Sequence, residues 1–110
     1  MVSNETFRQM ALALPDVIEL PHFDRASFRI NKRIFATLVE KENKAVLMFS
    51  PIQQSVFCSF DKTIVYPVPG GWGRQGSTIF ELGKIKKAMM KDALHVVYDE
   101  ILTKSLRNKR

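Results

Sequence analysis

The chain has 110 residues, 45% of them hydrophobic and 25% charged, with a formal net charge of +6. That balance excludes a disordered chain and fits one domain, residues 1–110, large enough to bury a core without metal or disulfide support. The single Cys58 excludes an intramolecular disulfide framework, and no apolar run approaches the ~20 residues that span a bilayer.

A first helix is predicted to begin after Ser3, a good N-cap, with Phe7, Met10, Ala11 and Leu14 on one face. Pro15 ends it, because proline disfavours helical geometry in the residue before it. The segment Pro21-His22-Phe23-Asp24 is expected to be a connecting loop. Three strands follow at residues 26–30, 33–39 and 44–49, rich in Phe, Ile, Val and Thr. The breaks between them are too short for parallel crossovers, so they form an antiparallel meander.

Ser50-Pro51-Ile52-Gln53 combines an N-cap, a proline at the first helical position and a glutamine at the third. It starts a short second helix whose buried stripe is expected to be Ile52, Val56, Phe57 and Phe60. A loop with Pro67 and Pro69 leads to Gly70, Gly71, Gly73 and Gly76, four of the five glycines. A fourth strand at 77–82 and a last helix at about 84–102 complete the chain. The core stripe of that helix is expected at Ile85, Met89, Ala93, Val96, Val97 and Ile101. The fold class is therefore α+β: an antiparallel sheet of four or more strands with helices on one face, in the order α-β-β-β-α-β-α.

Gly71-Trp72-Gly73-Arg74-Gln75-Gly76 matches the dinucleotide pattern G-x-G-x-x-G, but context rules that site out. The motif needs a strand before it and a helix after it, whereas here a proline loop precedes and a strand follows. Trp72 is either a core anchor or an exposed stacking platform; its size favours the core. The two histidines and one cysteine offer no metal-ligand spacing, and no nucleophile motif or acidic pair stands out. No enzyme chemistry, cofactor or metal is expected, and Cys58 is expected to be a buried structural thiol.

The positive charge is regional: residues 1–70 carry +1 and residues 71–110 carry +5, including a basic tail at about 103–110. Lys84, Lys87, Lys91 and His95 share a face of the last helix, and Lys84, Lys86 and Lys87 crowd its first turn. Such a face is either simply solvated or an anion site with Arg74 nearby. Arg29, Lys32 and Arg33 form a second basic group at the first hairpin turn, with Arg29 on the strand face opposite Phe28 and Ile30.

Two blocks carry a family resemblance: residues 21–38, PHFDRASFRINKRIFATL, and residues 71–82, GWGRQGSTIFEL, with the helix that follows. Together they resemble the MmcQ/YjbR-like proteins over nearly the whole chain. Tyr98 stands where that pattern has tryptophan, and Thr103-Lys104 where it has Pro-Lys. The resemblance implies a CyaY-like fold and the family's DNA-binding label, through a "double wing" sheet surface. The expectation is thus a cytoplasmic, non-catalytic DNA-binding or DNA-associated protein of weak sequence specificity that does not bind membranes, its oligomeric state open with a monomer favoured. Arg29, Lys32, Arg33, Lys44, Arg74, Lys84, Lys87 and Lys91 would form one basic surface. The alternative is a module binding a small anion or an acidic protein in a pocket of His22, Trp72 and Arg74.

Overall fold

The computed structural model describes residues 1–107, so the last three residues of the basic tail lie outside the described part. Helix α1 (Asn4–Leu12) starts as the sequence dictates: the Ser3 hydroxyl accepts the Thr6 N–H at 3.0 Å. The chain then forms β1 (Ile18–His22), β2 (Arg25–Ile30), β3 (Arg33–Val39) and β4 (Lys44–Met48). Helix α2 (Pro51–Cys58), β5 (Val65–Pro67), the single turn α3 (Gly71–Arg74), β6 (Ser77–Glu81) and α4 (Lys87–Arg107) follow. All strand pairings are antiparallel, in the order β1-β2-β3-β4-β6-β5.

The expected α+β class and element order hold, with two strands added at the margins. The segment predicted as the loop 21–24 supplies the end of β1, which pairs Ile18–His22 with Arg29–Arg25. β1 and β5 are the outer strands, and each carries a proline, Pro21 and Pro67, where a ladder N–H would otherwise be free. The β2–β3 hairpin closes on Asn31-Lys32, with φ of 51° and 69°. Two consecutive positive φ values are those of a tight turn whose twist matches the strands it joins.

A register shift lies between Phe28 and Arg29, where Phe35 is the extra residue of β3. Phe35 is buried and meets Tyr98 of α4 edge to face at 5.8 Å. The bulge lets Phe35 and Ala36 both be buried, so the central strand is buried continuously from Phe35 to Leu38.

Strand alternation gives the sheet two faces. Phe28, Leu38, Ala45, Leu47 and Phe80 point toward the helices, where Phe7 packs on Phe28 and Phe57 on Phe80. Arg29, Lys44, Ile79 and Glu81 project from the other face. Phe49, Phe57 and Phe80 form an aromatic cluster with ring centroids 5.0–6.2 Å apart. Tyr98, which replaces the tryptophan of the resembled pattern, is buried and donates its hydroxyl to Pro15 O at 2.7 Å. That bond ties α4 to the end of α1.

Two packing expectations are corrected. On α2 only Phe57 is buried; Ile52, Val56 and Phe60 are 76%, 58% and 59% exposed. Helical spacing puts Ile52 and Val56 on one side, with Phe60 in the turn beyond the helix, but Phe57 and the Gln54 side chain turn the opposite side inward. Gln54 Nε2 donates to Gly73 O at 2.8 Å and Ser77 O at 3.1 Å. On the last helix the buried positions are Met90, Ala93, Leu94, Val97, Tyr98 and Ile101, while Met89 and Val96 are partly exposed.

Candidate functional site

The β2–β3 turn carries three basic residues, distributed over both faces of the hairpin. Lys32 is exposed at its tip, and Arg33 opens β3 as the register partner of Ile30. Arg29 projects from the helix-free face as alternation predicts. Its guanidinium is held in place by a chain of hydrogen bonds: Arg29 Nε donates to Ser27 Oγ at 3.0 Å, and Ser27 Oγ donates to Leu20 O at 2.8 Å. None of these three cations forms an ion pair with a described carboxylate.

Lys44 lies at the other end of the sheet and is tied up. Its ammonium reaches Glu42 at 3.4 Å and Glu81 at 3.7 Å, and Tyr66 donates its hydroxyl to Glu81 beside it. Attraction to the Tyr66 oxygen, then to Glu81, raises Lys44 above its ordinary value. Burial, then the hydrogen bond to Glu81, raises Tyr66. Both groups keep their protons longer in the folded state than in the unfolded one. Their contribution to stability is therefore complete below about pH 10 and is lost as pH climbs through the raised values. Urea unfolding measured at increasing alkalinity should show wild-type stability falling, with a shallower fall in Tyr66→Phe. An equal fall in both proteins refutes this account.

Lys84 does not belong to the last helix, which starts three residues later; it sits in the turn after β6. It faces Asp61, whose carboxyl is held below its ordinary range chiefly by the Thr63 hydroxyl and N–H, with Lys84 adding attraction. The expected crowding of the helix's first turn by Lys84, Lys86 and Lys87 is therefore reduced to Lys87 alone.

Lys87, Lys91 and His95 do share a face, and it borders a groove between α1 and α4 of about 440 Å³. Thr6, Gln9, Met10, Ala13, Leu14 and Leu94 complete its lining, with no carboxylate among them. The sequence marked the cationic side of this groove by its four-residue spacing. Its apolar floor comes from α1, and nothing in the local pattern announces that pairing.

The eight cations expected to form one surface are thus divided between the hairpin turn, the Glu42–Glu81 cluster, the turn near Asp61, the α1–α4 groove and α3. Arg74 is exposed on α3, next to Trp72, which is 71% exposed and not the expected core anchor. Gly73 and Gly76 explain why: a Cβ on Gly73 would lie 1.7 Å from Val68 O, and one on Gly76 1.8 Å from Phe49 O. The loop packs by its backbone, and the indole is left outside. The expected pocket of His22, Trp72 and Arg74 is not formed. His22 lies on β1, one outer strand, whereas α3 leads into β6 near the opposite margin. Cys58 is half-buried on α2, its thiol raised above the ordinary value by burial, and far in the topology from His22 and Asp24. Among the described residues no three His, Cys, Asp or Glu side chains gather as a metal cluster, and no helix is long and apolar enough to cross a membrane.

No protein-family model matches the chain, and no curated protein matches it. Among solved structures it is similar to the crystal structure of Deinococcus radiodurans protein DR2400, described as a DUF419 domain. The TM-score is 0.74 at 15% identity, over 89% of this chain and 77% of that one. DUF419 is the MmcQ/YjbR-like family, so the likeness is one of fold to a member of it.

Proposed function

We propose that this chain is a divergent relative of the DUF419 proteins and a non-catalytic binder of nucleic-acid phosphates, acting through the β2–β3 hairpin. One observation carries the reading: Arg29, Lys32 and Arg33 lie within five consecutive positions around a two-residue turn, Arg29 and Arg33 on its two faces, and none forms an ion pair with a described carboxylate. A projecting cationic hairpin can track a phosphate backbone without reading base edges, so binding is weakly sequence-specific. Three phosphate contacts give a salt slope of about −3 in log K against log salt for duplex DNA. Fluorescence anisotropy with random duplex across a salt series should return that slope. Lys32→Glu with Arg33→Glu should weaken binding at least ~10-fold and flatten the slope toward about −1. A wild-type affinity indifferent to salt, or a double variant that binds as well, sinks the proposal.

A second reading is favoured by the α1–α4 groove. Lysines on its rim, an apolar floor and no lining carboxylate suit an acidic amphipathic segment or a small carboxylate with an apolar body. The same assay separates the two readings. Lys87→Glu with Lys91→Glu leaves duplex binding unchanged if the hairpin is the site, and abolishes binding of an acidic peptide if the groove is used.

A further inference from the structure

We propose that Trp72 is a stacking platform for an unpaired nucleobase, resting on the hairpin's binding of phosphates and making of the two a single-strand site. The indole is 71% exposed and pairs with no aromatic ring among the described residues. Its backbone is nevertheless held firmly. Gly73 and Gly76 pack against the main chain of Val68 and Phe49, and Gln54 of α2 donates to Gly73 O at 2.8 Å. A flat aromatic face displayed in water from a fixed turn loses little freedom when a ring stacks on it.

The strand registers set this platform and the hairpin at one end of the sheet. β3 begins where the β2–β3 turn closes, and its antiparallel partner β4 finishes at that same end. Met48, the last residue of β4, pairs with Ser77, the first of β6, and α3 leads into β6. Only β4 lies between β3 and β6, which are thus about 10 Å apart. Arg33, the partner of buried Ile30, leaves β3 on the face that the helices cover, and α3 is tied to α2 on that face. Lys44 and Lys84 lie at the opposite end, where β4 starts and β6 finishes.

Charge and ring chemistry choose the occupant. Arg74 folds back beside Trp72, its Nη2 3.7 Å from where a Gly71 Cβ would lie, and forms no ion pair with a described carboxylate. Residues 26–39 and 67–80, which supply both halves of the site, contain Arg29, Lys32, Arg33 and Arg74 and no acid at all. A polyanion that also carries flat rings satisfies both halves at once. Duplex DNA presents its phosphates but keeps its ring faces inside the stack, so only an unpaired strand offers the two together. The reach from turn to indole suits a few nucleotides, within the ~4–16 that single-strand modules engage.

Trp72 is the only tryptophan, so its own fluorescence reads the contact. A mixed-sequence single strand of about 12 nucleotides should quench it, whereas an abasic strand of equal length should bind without quenching. By anisotropy, Trp72→Ala should weaken binding of the base-bearing strand at least ~5-fold and leave the abasic strand and duplex unchanged. Trp72→Phe should restore most of the loss, and circular dichroism confirms that both variants are folded. Lys32→Glu with Arg33→Glu should weaken binding of all three nucleic acids. Strands that bind salt-dependently with the indole signal unchanged, or equally well in Trp72→Ala, overturn this inference and leave the hairpin reading standing. Absence of any nucleic-acid binding ends both. Quenching that the hairpin double variant leaves undiminished separates indole from hairpin and overturns the shared site. A response to anionic vesicles but not to strands would assign the indole to a lipid surface and equally overturn it.

Discussion

Gly76→Ala is expected to destabilise the protein by roughly 3–5 kcal/mol, the sum of a strained backbone and an overfilled contact. Gly76 has φ of 121°, and a Cβ there would sit 1.8 Å from Phe49 O, against main chain that cannot swing away as a long side chain could. Phe49 belongs to the stacked aromatic cluster, so any retreat of its carbonyl disturbs the core directly. Gly70→Ala is the natural comparison. Gly70 also has positive φ, 84°, but nothing lies within 4 Å of the added methyl. Only the conformational term of about 1–3 kcal/mol should then be lost. Urea unfolding of both variants separates the two effects. If Gly76→Ala is no more costly than Gly70→Ala, the close backbone approach does not hold the loop.

The second large effect falls on Phe80. Its ring is fully buried between Phe49 and Phe57, so Phe80→Ala should cost about 3–5 kcal/mol through lost burial and the cavity left behind. That is a large share of the ~5–15 kcal/mol by which a domain of this kind is stable. Trp72→Ala removes a larger side chain yet should change stability by no more than about 0.5 kcal/mol, because the indole already stands in water. Equal losses for the two substitutions would mean that Trp72 is packed in solution. Unchanged urea m-values would keep the comparison within two-state unfolding.

These contrasts mark what could be read from the amino-acid order and what could not. Local chemistry was legible. Ser3 and Ser50 cap the helices they were expected to cap, and Arg29 alternates with Phe28 and Ile30 as a strand requires. Ser50 also does something unforeseen: it donates to Glu100 of α4 at 2.6 Å, locking α2 to the last helix. β1 was missed because it contains Pro21, a poor strand residue that only an outer position tolerates. Periodicity placed Ile52 and Val56 on one side of α2, but it cannot say which side meets the core. Residue size argued for burying Trp72; glycines packing by their main chain decided otherwise. The number of lysines and arginines was plain, whereas their separation by ion pairs and by the length of the sheet arises only when distant segments are brought together.

The prolines of the two outer strands have one last consequence. Neither rim of the sheet offers an unbroken row of donors to a stranger's backbone, so copies cannot add strand to strand into filaments.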